Sequence, residues 1–174
     1  MQIDPRPGDR PTSPIQPTGF FTGVQIRPVI MGVVVDYIGT YAMMYVYIFL
    51  YLAKQFATEG ENARDAMSQY MSSNEGLMIG FLIGTLGTAL GGFVAGWKAG
   101  GFEIKHGAFV GLGSLIVSFI ELLMQEEPPT IPEWFRILSV LAIIPAGALG
   151  GYVAELFRGS RGPNPLGGGS GHSP

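Results

Sequence analysis

Four long apolar runs, separated by polar and proline- or glycine-rich stretches, set the plan of this chain. They cover Val29 to Ala53, Gly76 to Trp97, His106 to Met124 and Trp134 to Phe157. At 1.5 Å per residue each is long enough to cross about 30 Å of hydrocarbon. A soluble four-helix bundle carries a charged stripe on every helix, and these runs do not. The pattern therefore predicts an all-α membrane protein: four transmembrane helices in a tightly packed, glycine-rich bundle. Three regions follow, a proline-rich arm over 1–28, a transmembrane domain over 29–157 and a Gly/Pro-rich tail over 158–174.

The second run is the most specific. Gly76, Gly80, Gly84, Gly87 and Gly91 fall at steps of four and three, within a sector of about 80° on a helix. Ile79, Leu82, Leu86, Leu90, Phe93 and Trp97 occupy the other side and suit lipid. One smooth and one bulky face is the pattern of close helix contact inside a bilayer. Gly80, Gly84, Gly87 and Gly91, with Gly107 and Gly111 of the third run and Gly147 and Gly150 of the fourth, are the expected packing positions.

Between the runs, the stretch from Asn62 to Met71 has the spacing of a short surface helix, with Ala66, Met67, Tyr70 and Met71 on its membrane side. The segment Lys98 to Lys105 is short enough to make runs two and three a tight antiparallel hairpin. Pro132-Glu133-Trp134 reads as a helix start with an interfacial tryptophan. Four spans put both termini on one side, with Arg6, Arg10, Arg27, Lys98, Lys105, Arg158 and Arg161. Lys54, Arg64 and Arg136 fall on the other. The positive-inside rule then makes the termini cytoplasmic. The first 28 residues lack an apolar core with a small-residue cleavage site, so the first span is expected to serve as an uncleaved insertion signal.

Composition narrows the chemistry. The chain has 174 residues, 47% hydrophobic and 13% charged, with a formal net charge of −3 and no cysteine. Thiolate chemistry and cysteine metal sites are excluded. No basic cluster points to nucleic acid. The histidines, His106 at a membrane edge and His172 in the tail, exclude a bis-histidine haem and leave His106 as a poor candidate pigment ligand. No acid–histidine cluster suits a metal, and no phosphate loop or nucleotide fingerprint appears, so no cofactor is expected and an enzyme is the least supported class. Among polar residues at the interface only Lys98, Glu103, Lys105 and His106 group together.

Charges inside the spans cost a few kcal/mol or more unless paired or hydrated. Asp36 shares a stripe with Gly32, Thr40, Met43, Tyr47 and Tyr51, so it is expected to face the bundle or a partner. It reads either as a proton or cation site or as a structural carboxyl bonded to Thr or Tyr hydroxyls. A second stripe holds Gly107, Gly111, Ser114, Ser118 and Glu121, and a third Arg136, Ser139, Gly147, Gly150 and Ala154. Glu121 and Arg136 are placed to pair across the third loop, and Glu155 lies near Arg158. Five of the 7 tyrosines lie in the first run. Of these, Tyr37, Tyr41 and Tyr45 form a flank that either packs into the glycine seam or meets another protein, a quinone or a pigment.

The strings Val35-Asp36-Tyr37-Ile38-Gly39-Thr40, Gly91-Gly92-Phe93-Val94-Ala95-Gly96 with Lys98, His106-Gly107-Ala108-Phe109-Val110-Gly111 and Gly150-Gly151-Tyr152 resemble a set of uncharacterised small bacterial proteins with four glycine-rich spans. The likeness covers about residues 27–157. It implies the four-span architecture and a bacterial inner-membrane location, and it carries no activity. Two functions are expected to compete. One is a non-catalytic accessory subunit of a larger respiratory, photosynthetic or secretory membrane complex, held by helix packing and tail contacts. The other is a small transporter or channel working as a homo-oligomer, with Asp36 as the coupling acid.

Overall fold

The computed structural model describes residues 19, 21–59, 63–125 and 131–159. The proline-rich arm up to residue 18 and the tail from residue 160 lie outside them. Five helices follow in order: α1 (Ile26–Glu59), α2 (Ala63–Ser72), α3 (Asn74–Ala99), α4 (Glu103–Met124) and α5 (Glu133–Gly159). Four of them, all but α2, are long and apolar enough to cross a membrane. The protein is thus an all-helical bundle of membrane-spanning type.

α3 and α4 form the centre, each packing on α1 and on α5, while α1 and α5 do not pack on one another among the described residues. The expected hairpin is present. Gly100, in the left-handed conformation at φ 73°, closes α3, and Phe102, also left-handed, precedes α4. A glycine at the first position avoids the Cβ penalty of that conformation. α2 lies against α1 and α3 and is tied to the latter through Ser73. The Ser73 hydroxyl accepts from the Gly76 N–H at 3.1 Å and donates to the Tyr70 carbonyl at 2.6 Å. The face of α2 expected to meet lipid, with Tyr70 and Met71, instead leans on the bundle.

Close packing is concentrated in the half of the bundle nearest the start of α1. Apart from Gly76 beside α2, the buried positions are Pro28, Gly32 and Asp36 on α1 and fall between Ile83 and Gly96 on α3, between Glu103 and Ser114 on α4 and between Ala146 and Ala154 on α5. Glycine and alanine dominate them, so backbones meet directly. At the α4–α5 crossing a Cβ added to Gly107 meets the Gly147 carbonyl, and one added to Gly147 meets the Gly107 carbonyl. α3 carries two such seams, since Gly91 meets the Gly32 carbonyl on α1 and Gly92 meets the Gly147 carbonyl on α5. Such closeness admits Cα–H···O contacts between the helices.

In the other half the glycine face of α3 draws away from its neighbours, although Phe81 still meets Phe135 of α5 with ring centroids 6.2 Å apart. A Cβ on Gly84 meets nothing within 4 Å, and one on Gly80 meets only the Met44 methyl at 3.8 Å. These two glycines, expected as packing positions, line open space. Pro145 sits at the boundary of the two regimes on α5. It has no N–H to give the Leu141 carbonyl, which loosens the helix ladder there.

Around the outside, Ile30, Val34, Ile38, Leu82, Leu86, Leu90, Phe119 and Leu141 are exposed, a surface suited to hydrocarbon.

Candidate functional site

The space between the splayed half-helices is a cavity of about 390 Å³. Asp36 forms its floor with Thr88 and Ser114. Its walls rise through Tyr37, Thr40, Ser118 and Ser139 to Glu121, Phe135, Gly76 and Met71 at the α2 end. From Thr88 to Gly76 along α3 is about 18 Å. Below Asp36 the bundle is closed, because Gly32, Gly91, Ala95 and Val110 meet there. The cavity therefore ends on a carboxyl group where the packed half of the bundle begins.

Asp36 is 4% exposed and draws hydroxyl groups from three helices. Ser114 of α4 donates to its Oδ2 at 2.5 Å, Thr88 of α3 to the same oxygen at 3.0 Å and Thr40 of α1 to Oδ1 at 3.2 Å. Thr40 follows from the helical step of four. Thr88 and Ser114 arrive because the glycine seams bring α3 and α4 close enough for short side chains to reach. The Gly87 position illustrates this, since a Cβ there runs into the Thr40 hydroxyl and lies 3.0 Å from Asp36 Oδ1.

The proton inventory of this cluster is balanced for two states. Thr88 has one proton and two acceptors in reach, Asp36 Oδ2 and the Gly84 carbonyl at 3.1 Å. With Asp36 ionised, Thr88 donates to the carboxylate. With Asp36 protonated, the acid donates to Thr88 Oγ1, and Thr88 turns its proton to Gly84. Neither state leaves a polar group orphaned, which is the condition for a buried carboxyl to change protonation without a large packing cost.

The tyrosines do not fill the glycine seam. Tyr37 points to α4, its hydroxyl 3.3 Å from Ser118 Oγ and 3.5 Å from the Ser114 carbonyl. Tyr47 and Tyr51 meet Tyr70 of α2, with the Tyr47 and Tyr70 hydroxyls 2.5 Å apart and the Tyr51 and Tyr70 rings stacked at 4.4 Å. The shared hydrogen bond with Tyr47, aided by burial, pushes the Tyr70 phenol above its ordinary value. Tyr45 faces outward and is 70% exposed. Met43 lies beside a shallow apolar depression with Tyr47 and Leu50.

One expected pairing changes. Glu121 and Arg136 are both exposed and form no salt bridge among the described residues. Arg158 pairs with Glu103 of α4 and also donates to the Trp97 carbonyl of α3, while Glu155 is exposed. That one guanidinium ties three helix ends together, a role suited to its planar fork of donors.

His106 is fully buried, and both ring nitrogens are engaged. Nε2 accepts from the Gln25 N–H at 2.9 Å, so Nδ1 carries the proton and donates to the Phe102 carbonyl at 3.0 Å. No nitrogen remains for a pigment metal, and the histidine instead pins the segment before α1. Lys105 donates to the Thr22 carbonyl and lies over the Phe102 ring, and Lys98 is exposed. The interfacial residues Lys98, Glu103, Lys105 and His106 thus do not converge on one site. Compared with family models, with curated proteins and with solved structures, the chain finds no match, so its function rests on the site itself.

Proposed function

We propose that this protein is a small, non-enzymatic transporter or channel that binds and passes a proton or cation at Asp36. The observation that carries this reading is the vestibule: a hydroxyl-lined space that runs from the α2 end to a buried carboxyl whose hydroxyl partners can serve either protonation state. A purely structural carboxyl needs the hydroxyls but not the vestibule. Passage to the other side requires the Gly32–Gly91 closure to open. Backbone contacts without interlocking side chains suit such sliding. With α1 and α5 apart, a second copy completes the wall, so the working form is an oligomer in a bacterial inner membrane. The bases Arg27, Lys98, Lys105 and Arg158 cluster at the packed end, which by the positive-inside rule supports a cytoplasmic position for that end. The vestibule then faces outward.

The test is flux in proteoliposomes with an internal pH dye and an imposed proton or sodium gradient. Asp36→Asn abolishes the flux if the reading holds. Flux equal to that of protein-free vesicles for the unaltered chain defeats it.

A second reading, an accessory subunit of a larger membrane complex, is favoured by Tyr45, whose outward phenol sits within a span where a hydroxyl needs a partner. Gentle extraction from the source membrane decides it. Co-migration with larger, coloured or redox-active subunits supports the subunit reading, and a colourless homo-oligomer supports transport.

A further inference from the structure

The character of the vestibule speaks to what it holds. Among the described residues its lining includes two carboxyl side chains, Asp36 at the floor and Glu121 at the far end, and no lysine, arginine or histidine. An anion therefore meets repulsion at both ends. At about 390 Å³ the space equals roughly a dozen water molecules, far more than a bare metal ion fills. It falls in the range of sites that enclose small organic molecules. The walls carry four aromatic rings, Tyr37, Tyr41, Phe81 and Phe135, which attract an organic cation through their faces and shelter an apolar body.

Asp36 itself has room for one more donor. A carboxylate offers about four lone-pair positions, and Ser114, Thr88 and Thr40 occupy three of them. Each hydroxyl oxygen also keeps acceptor capacity after donating to Asp36.

We propose, building on the transport reading, that the vestibule takes a small organic monocation, a protonated amine with an apolar body. Its ammonium donates to the vacant position on Asp36, and its body lies among the four rings. The proton and the ammonium compete for the same carboxylate. When the cation binds protonated Asp36, one proton leaves the acid for solvent, so charge is conserved and cation is exchanged for proton. Among the described residues the other titratable groups facing the cavity are Tyr37 and Tyr41 of α1 and Glu121 of α4, while α2, α3 and α5 contribute none.

The experiment is calorimetric titration of the full chain in neutral maltoside micelles with benzylammonium, and with benzyl alcohol as the neutral isostere, from pH 5.5 to 8. Proteoliposome flux of protons and sodium is measured alongside. The proposal expects benzylammonium to bind, more tightly as pH rises, with proton release at the acidic end, and benzyl alcohol to bind more weakly. Asp36→Asn lowers the ammonium affinity by about tenfold or more. Glu121→Gln, at an exposed position that leaves the fold intact, lowers it by roughly two- to fivefold without changing the alcohol. Ammonium binding no tighter than the alcohol, or unchanged in both variants, overturns the proposal. If Asp36-dependent proton or sodium flux is still present in that case, the transport reading survives and only the substrate class fails. If flux is absent as well, both fail.

Discussion

A pair of alanine substitutions on one helix separates the packed half of the bundle from the open half. Gly84 and Gly92 lie eight residues apart in the interior of α3, and each gains from alanine the same intrinsic helix preference, up to about 1 kcal/mol. Their surroundings differ completely. A Cβ on Gly84 meets nothing within 4 Å, whereas one on Gly92 collides with the Gly147 carbonyl oxygen and lies 2.9 Å from its carbon and 3.0 Å from its Cα. All three of those atoms belong to backbone, so no side chain can turn aside and α3 must move off α5. Overpacking of a rigid contact costs about 1–3 kcal/mol, which exceeds the propensity gain. Gly84→Ala is therefore expected to be neutral or stabilising and Gly92→Ala destabilising, with a gap of about 2 kcal/mol between them. For a chain of this size that gap corresponds to roughly 4–8 °C in melting temperature. Thermal unfolding in maltoside micelles, followed by tryptophan fluorescence and by loss of the monodisperse chromatographic peak, reads it directly. Equal melting temperatures for the two variants, or a lower one for Gly84→Ala, would refute the two-half architecture.

Other expectations follow from the helix ends and the α2 contact. Arg158→Ala leaves the buried Glu103 carboxylate without its cation and is expected to destabilise by roughly 1–3 kcal/mol, less than a fully buried pair because the arginine is partly exposed. Arg158→Lys should recover little, since one ammonium cannot replace the fork that reaches both Glu103 and the Trp97 carbonyl; chemical denaturation of both variants checks this. His106→Leu strands the Gln25 N–H, at a cost of about 1–3 kcal/mol, and should speed amide exchange at Gln25. Because the Tyr70 phenol is held above its ordinary value, its bond to Tyr47 supports α2 docking fully below pH of about 10. That support is lost as pH rises toward the folded-state value. Spectrophotometric titration should show Tyr70 titrating late, and Tyr47→Phe should move that component to lower pH.

The long apolar runs made the four spans legible, because span length and the absence of a charged stripe depend on sequence alone. Asp36 and Thr40 were also legible, since the step of four lies within one helix. Thr88 was not. It sits among glycines between the two seams of α3, and only the α1–α3 approach gives it a partner. The glycine face was read as uniform because periodicity fixes the angle of a residue around its helix and not the distance to the next helix. Gly80 and Gly84 share their angle with Gly87 and Gly91, yet line the vestibule where the helices diverge. The Arg158–Glu103 pair joins residues 55 positions apart, beyond the reach of local spacing, which instead suggests the pair Glu121–Arg136. His106 looked available because its partner, the Gln25 N–H, is a backbone group that no side-chain pattern reveals.

The vestibule predicts that water reaches Asp36 from the α2 end of the bundle only. The chain contains no cysteine, so single cysteines can be introduced without a background. Ser139→Cys and Ser118→Cys lie on the vestibule walls, and Leu86→Cys and Leu141→Cys lie on the outer apolar surface. A charged, membrane-impermeant thiol reagent reacts with thiolate, which forms only where water enters. Added to one face of oriented vesicles and then to the other, it is predicted to label the two wall positions from the α2 side alone and to leave the two outer positions unlabelled. Failure to label the walls from either side, or equal labelling from both, would contradict a one-sided vestibule ending on Asp36.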